Sequence, residues 1–223
     1  MQRPEQVFTV IADFVDSRKI ENRREAQFEI DRVLNEVNEL VRSAEPMLPT
    51  VGDELQGAYR SIADAIRATL LTRALLPFPL DCRFGIGFGG VEHLGQSTLF
   101  RLQDGDGWWA AREALDHAHG LQKSRRHGSL RTWFTLSSRA DPPHGFTRET
   151  SAWINAYLLV RDSQLGTLDQ KDRTVLADAL TEKPQRYTAE RLGISQAAVS
   201  KRALQRGVNA IVEGLDVLEG AFS

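Results

Sequence analysis

An α+β chain with an all-helical C-terminal part is predicted on three observations. Up to Phe88 the apolar patterning changes period repeatedly, giving strand, helix, strand, strand, helix, strand. The break Asp141-Pro142-Pro143 then separates that part from a tail whose apolar spacing is helical from Arg148 onward. Inside the tail, two short helical segments meet at Gly193 in the spacing of a DNA-binding helix pair.

Each element has its own signal. Val7–Ala12 is a continuous apolar, β-branched run, as in a strand buried on both faces. Asn22–Ala44 reads as a helix, with Phe28, Ile30, Val33, Leu34, Val37, Leu40 and Val41 on one side and Pro46 ending it. Met47–Val51 and Leu55–Tyr59 are brief strands joined at the Gly52-Asp53 turn. Ser61 caps a helix that runs through Ile62, Ile66, Leu70 and Leu71 to about Leu76, where Pro77 stops it. Cys82–Phe88 is a strand whose glycines permit close backbone approach. This order is that of a ferredoxin-like antiparallel sheet.

A Gly/Asp loop at Asp104–Gly107, a helix from about Trp108 to His119 and a strand at Thr132–Leu136 follow. The basic loop with Lys123, Arg125, Arg126, His127 and Arg131 is read as a solvated surface, with closure over a phosphate as the alternative. Two domains are expected, 1–140 and a helical tail 146–223.

The formal net charge of −2 gives no global field for nucleic acid, so any such binding must come from a local patch. One cysteine, Cys82, excludes an internal disulfide framework and a cysteine-based zinc site. No run approaches the roughly 20 apolar residues that span a bilayer, and the first residues lack a signal-peptide pattern. A cytoplasmic protein without a membrane partner is expected.

The candidate chemistry is acidic. Asp13 and Asp53 each stand where a strand runs out into solvent, and in this topology the two strand ends share one rim. Two carboxylates on rigid strand ends suit Mg2+ (or Mn2+), which completes its oxygen shell from phosphates. Ser17 lies in the loop that leads into the long helix, where backbone amides could cradle phosphate. Asp16 and Glu54 are weaker candidates. The plainer alternative is that Asp13 and Asp53 are turn formers.

Asp13 at a strand end, GDE in a hairpin, FGIGFG in a later strand and AAREA on the next helix resemble the class III nucleotidyl cyclases. The hairpin VGDEL also resembles the GGDEF signature of the diguanylate cyclases, which share a polymerase-palm core. Taken in order, ADFVDS, GDELQG, RFGIGFG and the AREA helix resemble the SatD family over most of the chain. The cyclase resemblance implies metal ligands at Asp13 and Asp53 and a catalytic, phosphate-binding arginine at Arg112. It implies a nucleoside triphosphate or a cyclic or dinucleotide ligand. The chain departs from the pattern at Trp108, where those enzymes carry asparagine, and at Pro49, where they carry a base-reading lysine. Trp108 and Trp109 are candidates to stack on a nucleobase, with packing onto the sheet as the alternative.

In the tail, Asp169–Leu180 is helical, and Ala189, Leu192, Ile194, Val199 and Leu204 take the buried positions of a helix-turn-helix at about 169–206. Gly193 supplies the turn and Ser195 the cap. Gln196, Ala197, Ser200 and Lys201 face outward, and Lys201 and Arg202 belong to a local basic excess, so Gln196, Ser200, Lys201 and Arg202 are the DNA-binding candidates. Ile211, Val212, Leu215 and Leu218 form an apolar stripe for the tail itself or for a second subunit. A nucleotide-responsive, metal-assisted regulator binding double-stranded DNA as a homodimer is expected. The alternatives are an active nucleotidyl cyclase or transferase, and a DNA adaptor whose acidic turns are structural.

Overall fold

Strand β1 (Glu5–Phe14) runs through the middle of a six-stranded sheet, hydrogen-bonded along both edges. The computed structural model describes residues 4–17, 20, 22–50, 53–96, 101–124, 127–143 and 146–222. After β1 come α1 (Arg23–Leu40), β2 (Glu45–Pro49), β3 (Glu54–Tyr59), α2 (Ile62–Leu75) and β4 (Cys82–Gln96). Then follow β5 (Arg101–Asp104), α3 (Asp106–Gln122), β6 (Thr132–Leu136), α4 (Arg148–Leu165), α5 (Gln170–Leu180), α6 (Gln185–Leu192), α7 (Gln196–Gln205) and α8 (Val208–Phe222). The sheet order is β2-β3-β1-β4, with antiparallel neighbours throughout; β6 adds parallel to the first half of β4 and β5 antiparallel to its second half.

Strand alternation gives β1 two different faces. Phe8, Val10, Ala12 and Phe14 enter the main core with Ile30, Val33, Leu34 and Val37 of α1 and Ile66 and Leu70 of α2. Val7, Thr9 and Ile11 face α3 instead. There the glycines of β4 decide the packing. A Cβ on Gly85 would lie 2.0 Å from the Ala111 carbonyl oxygen, and one on Gly87 would lie 2.2 Å from the Ala111 nitrogen. Only bare backbone lets α3 settle so low, with Ala110, Ala111, Ala114 and Ala118 turned to the sheet. The Thr9 hydroxyl donates to the Gly107 carbonyl at 2.7 Å and fixes the helix start.

Several boundaries differ from expectation. Helix α1 ends at Leu40, and Pro46 lies inside β2. Phe28 is 68% exposed because it sits two residues from both Ala26 and Ile30, on the far side of the helix from its buried stripe; Leu40 is also exposed. Strand β4 continues past Phe88 to Gln96 and pairs with the unforeseen β5, since that extension lacks an apolar alternation. Ser61 and Asn22 cap α2 and α1 as their chemistry requires.

The helical tail is not packed apart from the sheet. Leu158 and Leu165 of α4, Val175 and Leu176 of α5, and Ile211 and Leu215 of α8 join the same hydrophobic cluster as Phe8 and Ile66. The α8 stripe therefore serves this chain's own core. Across the junction, the Arg73 guanidinium donates to Asp81 and to Asp162, both at 2.8 Å, and Arg161 donates to Asp162 at 2.9 Å. Arg73, Arg161 and Asp162 are each 2% exposed or less.

Candidate functional site

The sheet register places three charged residues in one row at the C-terminal end of β1. Asp13 is the cross-strand partner of Glu54 on β3 and of Arg83 on β4. Alternation carries Arg83 onto the face of Gly85 and Gly87, and Asp13 onto that of Ile11, so both point to the side covered by α3. Arg83 donates to Asp13 Oδ2 at 3.1 Å. Arg112, one helical turn beyond Trp108, is hydrogen-bonded and ion-paired to Glu54. The row thus reads Arg83, Asp13, Glu54, Arg112. Like charges directly opposite on neighbouring strands repel, and the flanking guanidinium groups offset that repulsion.

The row is incompletely satisfied. Asp13 Oδ1, Arg83 Nε and Trp108 Nε1 are buried without a hydrogen-bond partner. Burial is the largest influence on the Asp13 carboxyl and lifts it above the usual carboxylate range. Arg83, His119 and Arg112 pull it down, while Asp53 pushes it further up. Asp53 therefore does lie within electrostatic reach of Asp13, although Glu54 holds the nearer place.

Asp53 is exposed and lines a cleft of about 400 Å³ together with Ser17, Arg23, Gln27 and Glu54, over an apolar floor that includes Phe14 and Ile30. Beside it a cleft of about 600 Å³ is lined by Val15, Asp16, Asn22 and Glu25 and by Pro77, Phe78, Pro79 and Leu80. Both volumes fall in the range of small-molecule sites. Among the described residues, no group of three or more His, Cys, Asp or Glu side chains is placed to hold a metal ion. Asp13 Oδ1 and the Asp53 carboxylate are too few to enclose a cation by themselves, so a magnesium ion would fit only with phosphate oxygens completing its shell.

Trp108 is half-buried and packs on Val7, Ala58, Val91 and Ile11 of the sheet, whereas Trp109 is 59% exposed and donates its Nε1–H to Asp104 Oδ1 at 3.0 Å. Of the two rings Trp109 is the accessible one. In the basic loop, Arg125 and Arg126 lie outside the described residues. Arg131 is no surface cation: it turns inward and donates to Asp81 at 3.0 Å. Two contributors to the rim, Arg83 and His119, escaped the reading of the sequence. The signal for Arg83 was its place in the alternation Arg-x-Gly-x-Gly; His119 carried none.

In the tail, α6 ends at Gly193 with φ +63°, and the Ser195 side chain accepts from Ala198 N to start α7. Ala189 and Val199 are buried. Leu204 is not: it is 73% exposed, and Ala203 fills the inward position. Gln196, Ala197, Ser200 and Lys201 all face solvent. Arg202 has a different task. It pairs with Asp172, which is fully buried, and with Asp169 at 3.2 Å, and these bonds raise its pKa. Arg206 also reaches Asp172, at 3.4 Å, and Arg191 pairs with Asp178 at 2.8 Å. The basic excess expected in this segment is thus compensated in part, at Arg191, Arg202 and Arg206, by acids of α5 and its cap.

No helix among the described residues is long and apolar enough to cross a membrane. The family model described as the SatD family matches residues 7–213, and the chain belongs to the SatD family. Comparison with curated proteins finds no match.

Proposed function

For this SatD-family protein we propose a nucleotide-responsive, metal-assisted regulator that binds double-stranded DNA as a homodimer through a helix-turn-helix formed by α5, α6 and α7. The observation that carries the DNA reading is the exposed face of α7. Gln196, Ser200 and Lys201 stand free near the start of a helix that Ser195 caps and the left-handed Gly193 turns outward. Arg202 supports that face by tying α7 to α5, and it is reassigned from contacting DNA to positioning the helix.

The nucleotide reading rests on the rim. The order β2-β3-β1-β4 with antiparallel neighbours suits a ferredoxin-like, cyclase- or palm-type core, with the two clefts beside the β1–α1 loop. Asp13 through its orphaned Oδ1, and Asp53, would hold Mg2+ or Mn2+ bound to a triphosphate; the ion would neutralise phosphate charge. Ser17 and the exposed Arg23 line the cleft that takes the ligand, and Arg112 would add a second cation for a phosphate oxygen once it leaves Glu54. Trp108 packs on the sheet and lines neither cleft, so it is not proposed as a ligand contact. A cyclase or transferase is the second reading, and the pairing of Arg112 with Glu54 weighs towards binding without turnover.

Titration with a panel of magnesium–triphosphates, with pyrophosphate detection in the same samples, tests this. Saturable binding lost in Asp13→Asn and Asp53→Asn, without pyrophosphate release, is the expected result; release would favour the enzyme. Gel-shift assays across a salt series should show binding that weakens steeply with salt and falls in Lys201→Ala. No salt-sensitive DNA binding by the unsubstituted protein would refute the DNA role.

A further inference from the structure

Helix α7 carries one residue that its packing does not need. Leu204, whose spacing predicts a buried position, is 73% exposed, and Ala203 fills the inward place. A single exposed leucine is ordinary on a protein surface, so its position has to carry the meaning. At about 100° per residue, Ala197, Lys201 and Leu204 fall within an arc of about 60°, on the side of α7 opposite the buried Val199 and Ala203. Ser200 lies beside that arc, and all four of these outward residues are exposed. Their spacing of three, one and three residues is that of base-contacting side chains on a recognition helix lying lengthwise in the major groove.

The chemistry of this face is half donor and half apolar. Lys201 can donate to the O6 and N7 acceptors of guanine, and the Ser200 hydroxyl suits any base edge. Ala197 and Leu204 have only methyl groups to offer. The one apolar group that a base pair shows in the major groove is the C5 methyl of thymine. Helix α7 (QAAVSKRALQ) has no carboxylate, the group that would accept from the cytosine amine and repel phosphates. Arg202 takes no part, because Asp169 and Asp172 hold it.

We infer that Ala197 and Leu204 read thymine methyl groups, and that the duplex this protein prefers carries two thymines about three base pairs apart in each half-site. The inference rests on the helix-turn-helix reading and narrows it from duplex DNA to a base preference. The separation follows from the helix: seven residues rise about 10 Å, the length of about three base-pair steps. Against a thymine methyl the Leu204 side chain leaves water for an apolar partner. Against cytosine it meets an amine and no methyl, and the contact stabilises nothing.

Gel-shift selection from a pool of randomised duplexes tests it. The most enriched duplex is remade with deoxyuridine in place of each thymidine in turn, a change that deletes only the C5 methyl. The unsubstituted protein should lose affinity by about fourfold per methyl at two positions about three base pairs apart. Leu204→Ala should weaken binding of the thymine duplex by a similar factor and become indifferent to the methyl at one of those positions, while keeping its sensitivity at the other. Lys201→Ala should weaken the thymine and uracil duplexes alike. Because Leu204 is exposed, alanine there leaves the core intact, which circular dichroism checks. A selection that enriches no such thymine pair, or a Leu204→Ala variant as methyl-sensitive as the unsubstituted protein at every position, overturns the base preference and leaves the DNA role standing. Failure of the unsubstituted protein to bind any duplex removes both.

Discussion

The molecule uses arginine–carboxylate pairs in two places, and they differ in what is left over. At the junction of sheet and tail, Arg73, Arg161 and Asp162 are sealed from water, and both Asp162 oxygens are occupied: Oδ1 by the two arginines, Oδ2 by the backbone N–H groups of Arg131 and Thr132. At the rim, the Asp13–Arg83 and Glu54–Arg112 pairs are only partly sealed, and Asp13 Oδ1 and Arg83 Nε remain without partners. A buried charge pair that is fully bonded has no capacity for anything else, and its role is to hold two parts of a fold in one arrangement. A half-buried row with vacant bonding positions is where a ligand can be added at small cost to the fold. The candidate site is recognised by its unsatisfied atoms, more than by its acidity.

The largest effect should come from breaking the sealed pair. Asp162→Ala leaves Arg73 and Arg161 buried without their common partner and should destabilise the fold by about 3–5 kcal/mol in urea unfolding. A change below about 1 kcal/mol would show that the junction is no more structural than the rim.

Next is the support beneath the rim. Gly87→Ala puts a methyl 2.2 Å from the backbone of Ala111 and should cost about 3 kcal/mol, the upper end for overpacking because backbone must move. It should also lower any ligand affinity at Arg112, since α3 carries that side chain.

The pH dependence separates the two regions by sign. Burial raises the Asp81 carboxyl, but Arg73 together with Arg131 and Arg173 outweighs burial and holds it below its ordinary 3.8. Its contribution to stability is present above that value and is lost as pH falls through the depressed folded pKa. Asp13 is shifted the other way, above 3.8. The stability it contributes is fully present below 3.8 and is lost as pH rises through the raised folded pKa. Urea midpoints of Asp81→Asn and Asp13→Asn measured against the unsubstituted protein from about pH 3 to 6 should therefore diverge in opposite directions. Equal slopes would erase the distinction.

The smallest effect belongs to the exposed end of the row. A double-mutant cycle on Glu54→Gln and Arg112→Gln should give a coupling of about 1 kcal/mol or less, falling with salt.

Much of this was legible along the chain. The Ser61 and Ser195 caps and the Gly193 turn stand where their chemistry put them, because a cap or a left-handed turn is decided within four residues; Asn22, read as the first helical residue, is the cap of α1. The length of β4 was not legible, since Glu92 to Gln96 become strand through pairing with β5. Charge assignment was also hidden. Arg202 looks like a DNA contact in a basic segment, yet Asp172, thirty positions earlier, claims it.

By itself the sequence determined the order of the elements up to Phe88, the Ser61 and Ser195 caps and the Gly193 turn, because hydrophobic period and turn chemistry act over a few residues. Tertiary structure alone decided which acid meets which arginine. Asp13 finds Arg83 seventy positions away and Glu54 finds Arg112 fifty-eight away, since electrostatic partners are chosen by distance through space after the sheet has closed.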